Sequence, residues 1–318
     1  MRTYIDDEMT KKIALIAEMY YLHGMSQDDI SKRMKMSRPW VSKLLKRAEE
    51  MGIVRIEVNS PLSGCADIEQ KLKERFRIDQ VCVVRPTSMG SMADVGHAAA
   101  NYLVSAIQEQ DKIGVSWGLS VATMVEYVTP IQMEGVTVVP LVGGAGSKLE
   151  CQSNVIADKL AAALSAKCEL LHANAYCADE REYKAIMSNP KVRDVIRFGE
   201  QVDLAIVGVG GMEPNRMIED GYVGTDDVKE LNRMGAVGDV ALRFIDKGGE
   251  VLDADVNYRL IAGDLNTIRE HVREVIAVGF GETKAEVLKA AMKSGLITTL
   301  FTDLETAEIL IGKKKGNS

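Results

Sequence analysis

The sequence predicts an α/β protein in two parts. The first is an N-terminal winged helix-turn-helix. The second is an α/β effector domain with a mostly parallel sheet. Three observations carry this. Ser26 to Arg47 reads as two short helices around a tight turn, with basic residues on the faces that its apolar residues leave free. From residue 66 onward, short β-rich runs alternate with amphipathic helical segments, the pattern of βαβ units around a buried parallel sheet. The length, 318 residues, suggests about two domains at roughly 100–200 residues each. The expected boundaries are 1–58 for the helix-turn-helix with its wing, 59–65 for a linker and 66–318 for the effector and oligomerisation domain.

Composition narrows the function. Hydrophobic residues are 46% and charged residues 27%, an ordinary globular balance. No apolar run approaches the roughly 18 residues that span a bilayer, and MRTYIDDEMTKK lacks the apolar stretch of a secretory signal. A cytoplasmic protein with no membrane partner is expected. The five cysteines (Cys65, Cys82, Cys151, Cys168, Cys177) include no CxxC pair and the four histidines are scattered, so neither a zinc site nor another metal is expected. The net charge of −7 argues against a chain coated in cation. Its distribution is uneven, however. Residues 1–57 hold 11 Lys/Arg against 9 Asp/Glu, or +2, and the remainder 28 against 37, or −9. Ile30 to Ala48 contains seven basic residues and no acidic one. That is a local patch suited to a phosphate backbone, attached to an acidic body.

The elements follow in order. Ile13, Ala17 and Tyr20 recur at helical spacing, so a first helix is expected from Thr10 to His23, ended by Gly24 in the left-handed conformation. Ser26 opens a capping-box-like pattern with Asp29, and Ile30 and Met34 share one face of the second helix. A turn at Lys35 to Ser37 leads to the third helix. Its start is open between Ser37 as N-cap and a start set by Pro39 at the first helical position. Val41, Leu44, Leu45 and Ala48 form the stripe expected to be buried. As a DNA-reading helix it would bring Arg38, Trp40, Val41, Ser42 and Lys43 near base edges in the major groove, with Lys46 and Arg47 on phosphates. Trp40 could equally be a core residue. Val54 to Val58 alternates as a short strand, the wing.

In the body, strands are expected at Gln80–Val84, Lys112–Ser116, Thr137–Val142, Cys168–His172, Leu204–Val209, Val275–Phe280 and Ile297–Phe301. Helical segments lie between them at Met92–Gln108, Val155–Ser165, Asp226–Met234 and Glu282–Met292. Open α/β sheets bind ligands beyond the carboxyl ends of their strands. Four of those ends carry glycine-rich loops: Ser116 to Ser120, Gly143 to Ser147, Gly208 to Gly211, and Gly279 to Lys284. Glycines admit backbone N–H groups close to an anion, and helix N-termini supply aligned donors. Ser120 and Lys284 would add a hydroxyl and a point charge to one phosphate group. There is no Walker A sequence, and the 208–211 loop lacks the dinucleotide-binding spacing. Asp239, and the stretch Asn257-Tyr258-Arg259, would serve a sugar's hydroxyls, although Asp239 reads almost equally well as a helix cap.

These features together resemble the SorC family of bacterial sugar-binding transcriptional regulators. The resemblance is carried by the helix-turn-helix and by GVSWGLS, VVPLVGG, VDLAIVGVG, AVGDVALRF and AVGFGETKAEVLKAAMKSGLITTLFTD. It extends from about residue 10 to 312. It implies a C-terminal domain similar to sugar-phosphate isomerases and deaminases that binds a phosphorylated sugar without catalysis. On these motifs the implied effector-binding residues are Ser116, Gly118, Ser120, Gly143, Gly144, Asp239 and Lys284. The chain departs from the family at HANAYCADE after Cys168, and Val142 before the double glycine leaves no lysine for an imine.

The function expected is a DNA-binding regulator of a double-stranded operator, acting as a homodimer or homotetramer and controlled by a phosphorylated carbohydrate, with no cofactor. The alternative is a sugar-phosphate isomerase or deaminase carrying an N-terminal module. That chemistry needs a base over the sugar's carbon acid, and Asp179, Glu180, Asp239 and Asp255 are the available carboxylates outside any recognisable catalytic motif.

Overall fold

In the computed structural model the described residues are 7–51, 53–54, 65–145 and 148–313. The chain divides into two compact units, Met1–Ser60 and Pro61–Ser318. In the first, helix α1 (Asp7–Ala17) runs into a π-helical turn, Glu18–Leu22, and Gly24 follows at φ +63°. Helix α2 (Gln27–Met34) is capped by Ser26, whose hydroxyl accepts from the Asp29 N–H at 3.2 Å and donates to the Asp29 carboxylate at 2.6 Å. Lys35 turns the chain at φ +51°. Helix α3 (Arg38–Glu50) begins with the Ser37 carbonyl accepting from the N–H groups of Trp40 and Val41. Ser37 therefore sets the start, and Pro39 sits at the second helical position, where no intrahelical N–H is yet needed. Ile13, Ile16, Ile30, Val41, Leu44, Leu45 and Ala48 close one apolar core. The expected wing and linker fall, apart from Val54 and Cys65, outside the described residues.

In the second unit, α4 (Ala66–Phe76) precedes β1 (Gln80–Val84), α5 (Ser91–Ala106), β2 (Lys112–Val115), α6 (Leu119–Glu126), β3 (Thr137–Pro140), α7 (Ser153–Leu164) and β4 (Lys167–Cys168). The chain continues through α8 (Glu180–Met187), α9 (Pro190–Gly199), β5 (Leu204–Gly211), α10 (Arg216–Glu219), α11 (Thr225–Met234), β6 (Ala236–Val240), β7 (Arg243–Asp246) and α12 (Asp255–Tyr258). It ends with α13 (Leu265–His271), β8 (Glu274–Val278), α14 (Ala285–Lys293), β9 (Thr299–Asp303) and α15 (Leu304–Leu310). Seven strands form a parallel sheet in the order β1-β9-β8-β5-β2-β3-β4. Side chains alternate between its two faces. In β5, Leu204 and Ile206 enter one core while Ala205, Val207 and Val209 enter the other.

The topology reverses in the middle of the sheet. From β2 the chain proceeds outward to β3 and β4, whereas from β5 it proceeds to β8 and β9 on the opposite side. The crevice beyond the carboxyl ends of β2 and β5 is thus a switch point, where open α/β sheets bind ligands. β5 also overruns the sheet, and Val209 to Gly211 pair antiparallel with β6, which pairs in turn with β7.

Two sequence expectations change, and one hairpin is added. The strand expected at Cys168–His172 shortens to β4, because the Asn154 side chain takes both the N–H and the carbonyl of Leu171 and draws the chain out of the ladder. The helix expected at Glu282–Met292 opens with a 3-10 turn, Glu282–Lys284, before α14. The β6–β7 hairpin went unread, since AVGDV holds a glycine and an aspartate, both depleted in strands. Its turn residues Ala241 and Leu242 adopt φ +44° and +75°, a two-residue turn usually made by Asn-Gly. Strain of order 1–3 kcal/mol per residue is offset there by burial of both side chains and by the Asp239 carboxylate accepting from the Leu242 N–H at 3.3 Å. A Cβ on Gly210 would fall on that same carboxylate. Gly210→Ala is accordingly expected to destabilise the protein by about 1–3 kcal/mol, measured by denaturant unfolding.

Candidate functional site

The helix-turn-helix presents its basic residues outward. Arg38, Trp40, Ser42, Lys43, Lys46 and Arg47 are exposed on α3. Arg38 reaches the Asp28 carboxylate of α2 at 3.6 Å, an exposed pair that a phosphate can displace at little cost. Lys43 Nζ lies over the Trp40 ring, 5.4 Å from its centre. Trp40 is 39% exposed, which removes it from the core and sets it on the same face as the cations. Val41 is a correction: it is fully buried in the apolar core of the unit, so it is not on the exposed face of α3.

In the second unit, the loops at the ends of β2, β5 and β8, with Asp239 of β6, line a cavity of about 310 Å³. Gly118, at φ +111°, admits the chain to α6, which begins in the cavity wall. Among the described residues, the N–H groups of Leu119 and Ser120 have no acceptor, as expected for the first turn of a helix. Lys284 and Asp239 line the same space. Asp239 is buried and accepts from Asn215 Nδ2 at 2.9 Å and from the Leu242 N–H. Burial raises its carboxyl to about 6; the hydrogen bonds from Asn215 and Leu242, and the charge of Lys284, act against that rise. Burial likewise lowers the Lys284 ammonium, and the Asp239 charge opposes this. Among the described residues, neither group has an ion-pair partner within contact distance. The cavity thus holds a cation and an anion that are each available to a ligand.

The structure brings Gly118, Ser120, Asp239 and Lys284 together, and leaves the other expected residues outside. Ser116 is fully buried, with its hydroxyl accepting from the Gly208 N–H at 2.9 Å and facing the Trp117 carbonyl at 3.3 Å; it ties β2 to β5. The Gly143 and Gly144 N–H groups are spent on the carbonyls of Ile261 and Ala173, both at 2.8 Å, so they offer nothing to an anion. Gly143 is glycine because a Cβ would meet the Asn174–Ala175 backbone at 2.7 Å. Asn257 is consumed by backbone bonds to Phe244 and Leu252, and Arg259 by Asp227, Asp255 and Tyr176. Asp239 caps a hairpin turn and no helix.

Several cavity residues were not among the site residues expected from the sequence. Asn215 donates to the Gly211 carbonyl at 2.7 Å as well as to Asp239, and its own carbonyl oxygen caps α10. Arg216, Lys148 and Trp117 also line the cavity. An Asn directly before a short helical run is the only hint that could have marked Asn215, as an N-cap. Of the four carboxylates considered for catalysis, only Asp239 is in the cavity: Asp179 caps α8 and Asp255 pairs with Arg259.

Residues 60–312 match the Sugar-bind family model, a sugar-binding domain. The sorbitol operon regulator of Klebsiella pneumoniae is 29% identical, over 94% of this chain and 97% of that protein. The transcriptional regulator LsrR of Escherichia coli O9:H4 (strain HS) is 30% identical, over 95% and 94%. The crystal structure of the full-length sorbitol operon regulator SorC from Klebsiella pneumoniae superposes with a TM-score of 0.74 at 27% identity, covering 96% of this chain and 99% of that one. These relatives are regulators, and the match embraces both the helix-turn-helix and the cavity-bearing unit. The chain belongs to the SorC family of sugar-binding transcriptional regulators.

Proposed function

We propose that this regulator takes a phosphorylated carbohydrate in the cavity at the end of β2, β5 and β8, and that α3 reads its operator. The observation that carries the effector reading is the meeting of Ser120, the unmatched N–H groups at the start of α6 and the Lys284 ammonium in one partly enclosed space. An aligned set of donors with one cation is the recognition chemistry of a phosphate. Asp239, buried beside it, is an acceptor for sugar hydroxyls. Asn215 and the Leu242 N–H hold that carboxylate in place, which suits a fixed acceptor for a hydroxyl.

On the DNA side, the exposed residues of α3 divide by position. Arg38, Trp40, Ser42 and Lys43 lie toward the helix N-terminus, the end that meets base edges, and Lys46 and Arg47 lie toward phosphates. One copy carries little net positive charge, so specific affinity would come from two copies on half-sites about 34 Å apart. A homodimer or homotetramer supplies that geometry. Effector binding would shift the population of subunit arrangements and thus helix spacing.

Three outcomes are expected. Lys43→Ala weakens operator binding in gel-shift assays while sugar-phosphate thermal shifts persist; loss of both would indicate misfolding. Lys284→Ala lowers affinity for sugar phosphates by about 10- to 100-fold, the scale of one charge-assisted contact, measured by calorimetry. An effector reading without phosphate would leave that affinity unchanged. The third outcome concerns pH. The Asp239 carboxyl rises from 3.8 to about 6 on folding, so the folded state holds its proton more tightly. Its contribution to stability is full below pH 3.8 and is lost as pH rises through about 6. Between those limits the wild type should lose on the order of 3 kcal/mol relative to Asp239→Asn, read from unfolding curves at several pH values.

A further inference from the structure

Asp239 is a buried carboxylate held by neutral donors. Its Oδ1 accepts from Asn215 Nδ2 at 2.9 Å and its Oδ2 from the Leu242 N–H at 3.3 Å. Gly210 packs so closely that a Cβ there would lie 2.3 Å from Oδ1, so β5 closes that side. Charged groups on the neighbouring elements do little to change this setting. Arg243 of the same hairpin turns away, onto the carbonyls of Asn257, Ala262 and Gly263. Asp227 of α11 is bound to Arg259, and Glu286 of α14 is exposed and lines a separate surface hollow. At the mouth, Lys148 and Arg216 stand with Glu219 and Asp220, so their charges cancel in sum, and burial keeps the Cys151 thiol neutral. Lys284 is the group whose charge reaches Asp239. Its ammonium lies over the Phe280 ring, 5.8 Å from the centre, and forms no ion pair with Asp239.

The interior of the cavity thus holds one cation and one anion. A phosphate monoester would add a charge of about −1.5 to −2 at neutral pH, and Lys284 with the start of α6 answers only part of it. The excess falls on the nearest group able to shed a negative charge, which is Asp239. We propose that effector binding is proton-linked: a phosphate seated at Lys284 draws a proton from solvent onto Asp239, so the regulator holds its effector more tightly as its surroundings acidify. This rests on the phosphate reading above and adds a regulatory input to that site. A protonated carboxyl still accepts from Asn215 and from the Leu242 N–H, and its O–H becomes a donor to a sugar oxygen. Burial already brings the free carboxyl to about 6, so a further rise carries it toward neutrality. The complex then holds the proton more tightly than the free cavity does. The Asp239 contribution to affinity is therefore full below about pH 6 and is lost as pH rises through neutrality. The phosphate itself protonates near pH 6, so the effect is read above that value.

The test is calorimetry on the full-length chain with fructose 6-phosphate, glucose 6-phosphate and ribose 5-phosphate, in buffers of equal pH and different ionisation enthalpy. The difference in heat between buffers counts the protons exchanged. The expected result is uptake of roughly half a proton per bound ligand at about pH 7, with affinity falling about fivefold from about pH 6.5 to about pH 8. Asp239→Asn should abolish the uptake and flatten the pH dependence. Asn215→Ser removes the Nδ2 donor while leaving a hydroxyl to cap α10. It should keep the proton on Asp239 to higher pH and move the uptake upward with it. A merely structural loss would lower affinity alike at every pH and leave the profile where it was. The inference is overturned if the wild type takes up no proton, or if the uptake persists unchanged in both variants. Lys284-sensitive binding without uptake would still uphold the phosphate site. If none of the three ligands binds, the phosphate reading falls and this inference with it.

Discussion

The cavity depends on how closely the rest of the unit approaches one stretch of backbone, Gly208 to Gly211. Here β5 runs past the edge of the sheet and three other segments press against it. A Cβ on Gly208 would come within 3.1 Å of the Trp117 carbonyl from the β2 loop. On Gly210 it would fall on the Asp239 carboxylate of the hairpin, and on Gly211 on the Thr283 carbonyl of the β8 loop. Gly238 meets the Gly210 carbonyl from the other side. Side chains at these positions would push apart the loops that supply Ser120, Asp239 and Lys284. The glycines serve the site by bringing its parts together, and Ser116 fastens two of those parts by its bond to the Gly208 N–H.

This crowding also sets the electrostatics. Asp239 faces inward because a hairpin turn of two residues with positive φ needs its carboxylate on the Leu242 N–H. Burial then raises its pKa, and Asn215 and Lys284 draw it back toward the charged form. The result is a carboxylate and an ammonium in one enclosed space without direct contact. A pair already in contact would have to be broken by an incoming ligand, at the cost of uncovering buried charge. In the proposed complex the separated pair would leave Lys284 to receive a phosphate and Asp239 to receive a hydroxyl.

Much of the fold was legible from residue pattern. The parallel strands read as short β-rich runs because both their faces are buried, and the helices between them showed the apolar stripe that packs on the sheet. Ser26, Gly24 and the buried stripe of α3 obeyed local rules that tertiary packing did not override. The glycine loops were legible as loops at strand ends, yet their purpose was not. Gly143 and Gly144 resemble an anion loop in sequence, while in the structure their N–H groups are spent on Ile261 and Ala173. The β6–β7 hairpin was hidden because its strands and turn break local preference, and such breaks persist only where the surroundings over-determine them.

The sequence by itself determined the two-unit plan, the order and kind of most elements, and the outward basic face of α3. Periodicity, capping and turn chemistry act over a few residues and are written in the residues themselves. Only the tertiary structure decided which candidates meet. Ser120, Asp239 and Lys284 are separated by 119 and 45 positions in the chain, and they share a cavity because β2, β5 and β8 lie side by side at the switch point of the sheet. Ser116, Arg259 and Asn257 looked equally suited to a ligand and were claimed by internal partners. Whether a polar group is free or satisfied depends on what packs against it, and that is a property of the folded contact and not of the residue.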